Sequence, residues 1–320
     1  MNIACRFRIY PTEEQKILLG KTFGCCRFLY NQMLNDKIRE YAKTKKMLKN
    51  TPAMYKKEYP FLKEIDSLAL ANVQLHLEKA YKNFFRDSKI GFPRFKTKHH
   101  SKNSYTTNVV NGNILVESKR IRLPKLKWIA MKKHREPAEG LRLKSVTVSM
   151  ESSGKYFASL LYEGYSCENQ AAGPDYSTAK ILGIDYAMQG MAVFSEKVET
   201  EEAGFFRKNE KRLAREQRKL SRCVRGSHNY ELQKKKVARC HEKIRNQRRD
   251  HLHKLSRKIA DGYDAVAVED IDMKAMGQCL HFGKSVQDKR VYHCECGNKM
   301  DRDHNAAINI REEVRRMLTA

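Results

Sequence analysis

Acidic residues are too few in this chain to balance the basic ones. Its 320 residues include 64 lysines and arginines against 37 aspartates and glutamates, which gives a formal net charge of +27. This excess is larger than solubility requires, and the basic residues are spread through most of the chain rather than collected in one tail. A charge of this sign favours a polyanionic partner, with nucleic acid as the first candidate and an anionic membrane as the weaker one. Binding to nucleic acid should then weaken steeply with added salt.

Long apolar runs, a secretory signal and lipidation motifs are also missing, which argues against a membrane partner and against secretion. The nine cysteines are irregularly spaced, so we interpret them as reduced thiols of a cytoplasmic protein rather than as a disulfide framework. Apolar residues still make up 41% of the chain, which is enough for real cores. The length leaves room for two domains, or for one domain with a large insertion.

The first part of the chain predicts one strand followed by helices. Residues 2–10 alternate between apolar and basic side chains, as a half-exposed strand does. Thr12 and Gln15 stand at capping-box spacing, and a helical pattern continues from there to about residue 42. A lysine-rich loop comes next, and residues 67–86 predict a second helix.

The following segment has the pattern of β structure. Residues 113–162 contain several short apolar runs, with a hairpin predicted at Ser153-Gly154. Together with the first strand, this pattern predicts a small barrel formed by residues 1–11 and 105–165. The helices of residues 12–104 would be inserted into that barrel.

Aromatic and basic residues alternate irregularly over Gly91–Tyr105. Rings can stack on bases while cations follow the phosphates, so Arg94 and Lys96 are candidate nucleic-acid contacts. A solvated loop pinned to the protein by Phe92 and Phe95 explains the same composition equally well.

Three acids stand at the ends of apolar core elements. Asp185 lies inside a predicted hairpin of two buried strands at 181–194, Glu269 follows the apolar strand 265–268, and Asp303 opens an amphipathic helix. An ionised carboxylate is not buried unless it is paired or binds a cation.

Each acid has a simpler interpretation when it is taken alone. Asp185 could cap a turn, Glu269 could end a strand, and Asp303 could be the N-cap of its helix. Taken together, three such acids favour a divalent-metal site with hard oxygen ligands. Two Mg²⁺ ions about 3.5–4 Å apart would stabilise the attacking and the leaving oxygen of a phosphodiester cleavage.

Two long basic helices are predicted over residues 203–260, separated near Gly226. Apolar stripes on both helices, which include Leu213 on the first helix and Cys240, Ile244 and Leu252 on the second, indicate that they pack together. Charged helix faces are usually plain solvated surface, but so few acids balance these faces that contact with phosphates is the better interpretation. The residues singled out for that contact are Arg212, Arg215, Arg218, Arg222, Lys234 and Arg245.

The order of several motifs resembles one known family. Phe92–Lys96, Gly183–Asp185, Val268–Asp270, and above all Asp301–Ile310, are similar to motifs of the transposon-encoded TnpB proteins, relatives of type V CRISPR effectors. The resemblance extends over nearly the whole chain. It implies a mixed α/β and β fold: a wedge-type β-barrel with a helical recognition insertion, followed by a RuvC-like nuclease domain of RNase H fold with inserted long basic helices.

The same resemblance implies an activity and a set of partners. Members are RNA-guided DNA endonucleases of bacterial insertion sequences. Asp185, Glu269 and Asp303 match their Mg²⁺-binding catalytic acids. The guide RNA derives from the transposon end, and the target is double-stranded DNA of the nucleoid beside a short target-adjacent motif. By position, Ser67 and the segment from Tyr105 to Asn111 would face that motif. Residues 166–179 would be a linker, and residues 180–320 the nuclease domain.

The chain departs from the family pattern before its last motif. Gly283–Asp288 leads almost directly into residues 290–300, where a remnant of a zinc ribbon keeps Cys294 and Cys296 one residue closer than usual. A structural zinc requires four ligands, and His293 would add only a third, so ordinary zinc binding is not expected. The alternative function is a guide-directed DNA-binding protein, natural or engineered, with impaired cleavage. A general RNA-binding accessory protein is a third hypothesis.

Overall fold

A computed structural model of the protein describes residues 2–98, 101–164, 178–185, 192–198, 205–269, 291–293 and 299–319. The chain is a mixed α/β protein with two compact units, Met1–Glu168 and Asn169–Ala320. None of the described helices is both long enough and apolar enough to cross a membrane.

The first unit begins with strand β1, Asn2–Tyr10, and helix α1, Glu13–Thr44. The predicted capping box is confirmed: the Gln15 N–H donates to the Thr12 hydroxyl, and the Thr12 N–H donates to the Gln15 side-chain carbonyl. The Gln15 amide also donates to two backbone carbonyls of a later strand segment, those of Leu126 and Trp128. The Gln15 side chain therefore caps the start of α1 and also connects this helix to the sheet.

Two further helices complete this part of the unit. Helix α2, Pro52–Glu58, lies where the sequence predicted only a loop. Helix α3, Ser67–Arg86, agrees with its prediction. Asp66 caps α3 by accepting the Leu68 N–H at 3.0 Å. Short 3₁₀ turns precede and follow α3.

Seven antiparallel strands form the sheet of the first unit. After β1 they are β2 Asn103–Asn108, β3 Leu115–Val116, β4 Arg120–Leu123, β5 Lys127–Lys132, β6 Arg142–Met150 and β7 Tyr156–Glu163. Their spatial order is β2-β6-β7-β1-β5-β4-β3. Since β2 and β3 are the outer strands and do not pair in the described part of the chain, the sheet is open and closure of the predicted barrel is not confirmed.

The main core lies between this sheet and helices α1 and α3. One face of β1 supplies Cys5, Phe7 and Ile9, all buried, as the alternation predicted. Strands β2 and β5 were not assigned from the sequence. β2 is mostly polar, and it buries only Tyr105 and Thr107.

The second unit contains a three-stranded sheet in the order β10-β8-β9. Its strands are β8 Ile181–Asp185, β9 Val193–Phe194 and β10 Ala265–Val268. A two-stranded ladder of β11 Val291–His293 and β12 Lys299–Asp301 precedes the last helix, α6 Arg302–Thr319. Ala179, assigned to the predicted linker, belongs to the small core of this sheet.

Helices α4 Phe205–Ser221 and α5 His228–Gly262 form an antiparallel hairpin. Gly226 between them has a φ of +84° that favours glycine. Leu213 of α4 packs against Cys240 and Ile244 of α5, as the stripes predicted. Leu252, assigned to the same stripe, is instead exposed. A hydrogen bond also connects the two helices: the Gln233 side-chain amide of α5 donates to the Glu216 carboxylate of α4 at 2.8 Å.

Candidate metal centre and nucleic-acid interface

Asp185 and Glu269 follow paired residues of two neighbouring parallel strands. β8 and β10 are parallel, and their last registered pair joins Ile184 to Val268. Asp185 directly follows the first of these residues and Glu269 the second. Neighbouring strands lie about 4.8 Å apart. The backbone therefore carries both carboxylates to one edge of the sheet, where Asp185 is half-buried and Glu269 is exposed.

Helix α6 lies against β8 at a glycine. A Cβ atom on Gly183 would be 2.0 Å from the Ala307 carbonyl oxygen and 2.9 Å from Arg311 Cβ. Ala307 is completely buried. A residue without a Cβ is thus required at position 183 for the helix backbone to come this close to the strand. In the sequence Gly183 stands out only as part of the motif Gly183–Asp185, and no local pattern indicates this packing role.

The N-terminal turn of α6 lies at the same end of the sheet. His304 Nδ1 is 3.1 Å from the Phe194 carbonyl oxygen, and Phe194 of β9 is paired with Ile184 of β8. Asp303 immediately precedes His304 in this turn. The backbone of Asp303 is described and its side chain is not. Among the side chains that are described, no group of three or more metal-binding residues converges.

Backbone hydrogen bonds hold this end of the sheet together. The Ser195 N–H donates to the Gly183 carbonyl at 2.9 Å, and the Gly183 N–H donates to the Ser195 hydroxyl at 3.0 Å. Ser195 is buried. Both polar groups of Gly183 are satisfied by one neighbour, which fixes β8 two residues before Asp185.

The basic helix faces lie on the surface of the second unit. Lys211, Arg212, Arg215 and Arg218 of α4 line an open groove of about 550 Å³. All six candidate cations of the hairpin are exposed. Lys234 Nζ is 3.9 Å from the Glu231 carboxylate and Arg215 is 3.7 Å from Glu216, which partly offsets these two charges.

The segment that follows α3 is partly pinned and partly exposed. The Asn31 side chain exchanges two hydrogen bonds of 2.8 Å with the Lys96 backbone. Lys96 Nζ lies 3.9 Å from the centre of the Tyr30 ring. Burial lowers the pKa of Lys96 from its usual range. Arg94 and Phe95 remain exposed.

The residues predicted to face a target-adjacent motif differ in their accessibility. Ser67 is exposed at the start of α3, where its hydroxyl oxygen accepts from Lys56 Nζ at 2.9 Å. Asn111 is exposed in a turn with a φ of +49°. Tyr105 is only 5% exposed, and its ring packs 6.0 Å from that of Phe23. Stacking of the Tyr105 ring on a base is therefore not available in this conformation.

A cavity of about 180 Å³ lies between α1, α3 and the start of β2, and Tyr105 is part of its wall. The wall also carries basic and polar side chains. Burial and the nearby cations Lys96 and Lys79 lower the pKa of His76. The mixture of cations, amides and hydroxyls suits a phosphate or a base edge. Of these wall residues, Arg27, Asn72 and His76 lie outside every segment singled out from the sequence, whereas Ser101, Lys102, Ser104 and Thr106 fall within the segments 91–105 and 105–111.

The zinc candidates Cys294 and Cys296, and residues 283–288 before them, lie outside the described residues. β11 and β12 flank the two cysteines and pair with each other, with Val291 opposite Asp301.

Three family descriptions match the chain. The family described as "Probable transposase" matches residues 164–279, "Helix-turn-helix domain" of the same family group matches residues 1–46, and "Cas12f1-like, TNB domain" matches residues 268–310.

Two curated relatives match most of the chain. One is "Putative RNA-guided DNA endonuclease InsQ" of Escherichia coli (strain K12), at 33% identity over 86% of this chain and 67% of the relative. The other is "Putative RNA-guided DNA endonuclease" of Streptomyces pristinaespiralis, at 29% identity over 96% of this chain and 88% of the relative. The second alignment spans 366 positions, more than the 320 residues present here, so that relative contains segments that this chain lacks.

Two solved structures align at 13% identity. A Cas12f1-sgRNA-target DNA complex aligns over 97% of this chain and 99% of its own, with a TM-score of 0.28. A CRISPR-Cas12f ternary complex aligns over 94% of this chain and 82% of its own, with a TM-score of 0.36. The order of motifs, the matched families and the identity to the E. coli protein agree with one another, and the chain belongs to the TnpB family, the OrfB proteins of IS605-type elements.

Proposed function

We propose that this chain is an RNA-guided DNA endonuclease that hydrolyses target DNA at a metal-dependent RuvC-like site formed by Asp185, Glu269 and Asp303. The observation that carries the proposal is the parallel register of β8 and β10, in which Asp185 and Glu269 directly follow the last registered pair, Ile184 and Val268. The start of α6, which carries Asp303, lies at the same edge. Both curated relatives are named as RNA-guided DNA endonucleases.

The donor set fits a hard divalent cation such as Mg²⁺, because it consists of carboxylates alone. Asp185, Glu269 and Asp303 would be the residues that hold it. When bound, a pair of such ions supplies activation of water and stabilisation of the leaving oxygen. The chain's own contribution to the proposed site would be to position these residues: the register of β8 and β10 supports the placement of the first two acids, and the close packing of α6 on Gly183 supports that of the third.

The basic surfaces would bind the nucleic acids. The exposed arginines of α4 and α5 are proposed to follow the phosphates of a transposon-end guide RNA or of the guide–target duplex. The cavity lined by Asn72, His76 and Lys102 is proposed to face the target-adjacent motif, together with Ser67 and Asn111. Base pairing with the guide would then read the remaining target sequence.

The test begins with the RNA that co-purifies with the chain. Sequencing should give one structured species with a variable 3′ end, and a plasmid matching that end beside a randomised flank should be cut in Mg²⁺. Asp185→Ala should lower the cleavage rate by more than about 100-fold. Substitution of residues that only hydrogen-bond to metal ligands already lowers metal affinity or activity by about 10- to 100-fold, and Asp185 is proposed as a ligand itself. Binding of the plasmid should be unchanged.

Asp250→Ala is the matched control, since Asp250 is an exposed acid of α5 paired with Lys254 at 2.9 Å. Its cleavage should equal that of the unsubstituted protein. If Asp185→Ala cuts as well as Asp250→Ala, the site assignment is wrong.

A guide-directed DNA-binding protein that does not cut is the second candidate. This candidate is favoured because the Streptomyces pristinaespiralis relative contains segments that this chain lacks, as the length of their alignment shows. Target binding of guide-loaded protein without cleavage, in Mg²⁺ and also in Mn²⁺, would establish this function instead.

A further inference from the structure

A cluster of aromatic rings lies at the C-terminal end of α3 in the first unit, whereas the three acids belong to the second unit. We call Tyr81, Phe84, Phe85 and Phe92 the aromatic patch. The Tyr81 and Phe85 rings are nearly parallel, with centres 6.3 Å apart, and Phe84 is 5.3 Å from Phe85. Phe92 stands edge-on to both Tyr81 and Phe84, at 5.6 and 5.4 Å. The four rings therefore form one connected surface.

One ring of the aromatic patch is buried in the protein, and another is exposed to solvent. Tyr81 is 7% exposed and anchors the cluster, whereas Phe85 is 70% exposed. Gly91, with a φ of +76°, turns the chain so that Phe92 returns onto α3. Since one side of the Phe85 ring faces Tyr81, its exposure leaves the opposite side free. A connected apolar surface of this kind on a soluble protein usually marks an interaction site.

The charges around the patch are almost all positive. Residues 82–98 contain six lysines or arginines and one acid, Asp87. Lys82, Arg86, Lys89 and Arg94 are exposed, and within the described part of the chain none of these four forms an ion pair. Docking of a second copy would bring these cations face to face at low dielectric, which is unfavourable. A polyanion with flat apolar groups has the complementary chemistry.

We propose that the aromatic patch is a stacking platform for unpaired bases of a single-stranded nucleic acid, with Phe85 as the ring that receives the base. The flanking cations hold the phosphates on either side of the stacked base. Bases of any sequence present a π-face, so the platform reads single-strandedness and not sequence. The proposal extends the function proposed above, but its test measures binding alone and does not depend on cleavage.

The experiment uses full-length protein freed of RNA, with a fluorescently labelled 12-nucleotide single-stranded RNA of mixed sequence as the probe. Phe85→Ala should weaken binding on the order of 5- to 100-fold, the range measured for loss of one base-stacking ring. Phe85→Leu should be equally weak, since it keeps apolar area but removes the ring. Leu75→Ala is the control, because Leu75 is an exposed apolar residue of the same helix, and its affinity should be unchanged.

Phe85→Trp gives a direct readout of contact. The chain contains one tryptophan, Trp128, so fluorescence added by the second reports position 85. Affinity should be retained and the added fluorescence should be quenched when RNA binds. Circular dichroism of each variant should match that of the unsubstituted protein.

Three results would overturn the proposal. The first is that Phe85→Leu binds the single-stranded RNA as tightly as the unsubstituted protein does, which would show that apolar area alone, without an aromatic ring, accounts for the contact. The second is an equal loss of binding to a blunt duplex of the same length, which removes the single-strand preference. The third is a concentration-dependent dimer that Phe85→Ala abolishes, which makes the patch a self-interface. Loss of cleavage with intact RNA binding would affect only the function proposed above.

Discussion

Gly183 illustrates how one missing side chain positions a site. Its backbone is hydrogen-bonded to Ser195 on one side, and its Cα faces the backbone of α6 on the other. Any Cβ would meet the Ala307 carbonyl oxygen at 2.0 Å, and a backbone atom cannot rotate away as the end of a side chain can. The close packing of α6, the helix that begins beside Asp303, on β8 therefore depends on a residue that has no functional group.

Gly183→Ala is expected to displace α6 and to lower cleavage severely while guide binding persists. Overpacking of this kind destabilises by about 1–3 kcal/mol, and catalytic groups tolerate displacements of only about 0.5 Å. Single-turnover cleavage and amide hydrogen exchange in β8 and α6 measure the two effects. Gly262→Ala is the control, because its added Cβ would meet nothing within 4 Å. Unchanged cleavage by Gly183→Ala would contradict this account of the packing.

Asp66 shows how one carboxylate joins two elements. One of its oxygens accepts the Leu68 N–H at the start of α3, and the other accepts the hydroxyl of Thr107 in β2. Thr107 is completely buried and Asp66 nearly so. The helix that forms one wall of the cavity is thereby fixed to the strand that forms another.

Asp66→Ala should lower the stability of the first unit, since loss of an N-cap costs about 1 kcal/mol and an unsatisfied buried hydroxyl costs about 1–3 kcal/mol. Thr107→Val in the Asp66→Ala background should recover part of the loss, because the valine leaves no hydroxyl unpaired. Urea unfolding of both single variants and the double variant measures this coupling. Strictly additive losses would show that the two side chains do not act as a pair.

At the scale of the whole molecule, the described cores of the two units differ greatly in size. The first unit has a continuous core that includes the largest fully buried side chains of the described chain, such as Phe7, Leu29 and Leu70. In the described part of the second unit, the cores are small: one around Ala179, Ile181 and Ala267, and another in the α4–α5 hairpin. Buried apolar area is the main source of stability, so the units should differ in resistance to denaturant.

We expect the RNA-free protein to unfold in two steps, the second unit first. Trp128 lies in β5 of the first unit, so its fluorescence follows that unit, whereas far-ultraviolet circular dichroism follows both. The circular dichroism transition should begin at a lower guanidinium concentration than the fluorescence transition. Asp66→Ala should shift the fluorescence transition and the later part of the circular dichroism transition to lower guanidinium concentration, and should leave the early part of the circular dichroism transition unchanged. Coincident transitions would show that the chain unfolds as one cooperative unit.

The local patterns were the most predictable part of this protein. The Thr12–Gln15 capping box, the bounds of α3 and the alternation of β1 follow from interactions within a few residues, and all three were predicted. Polar β2 escaped assignment because its place in the sheet depends on pairing with β6, about forty residues away. Leu252 was assigned to a core on spacing alone, and no partner helix covers it in the described hairpin.

The sequence by itself determined the charge, the helices and strands of strong periodicity, and the three acids, because these are properties of residue types and short spacings. Tertiary structure alone decided that Asp185 and Glu269 each follow the same registered pair, Ile184 and Val268, since strand register is set by pairing across 84 residues of chain. It also decided that the Tyr105 ring is buried while that of Phe85 is open. The burial of a side chain depends on the groups that pack against it, and the tertiary structure determines which groups those are.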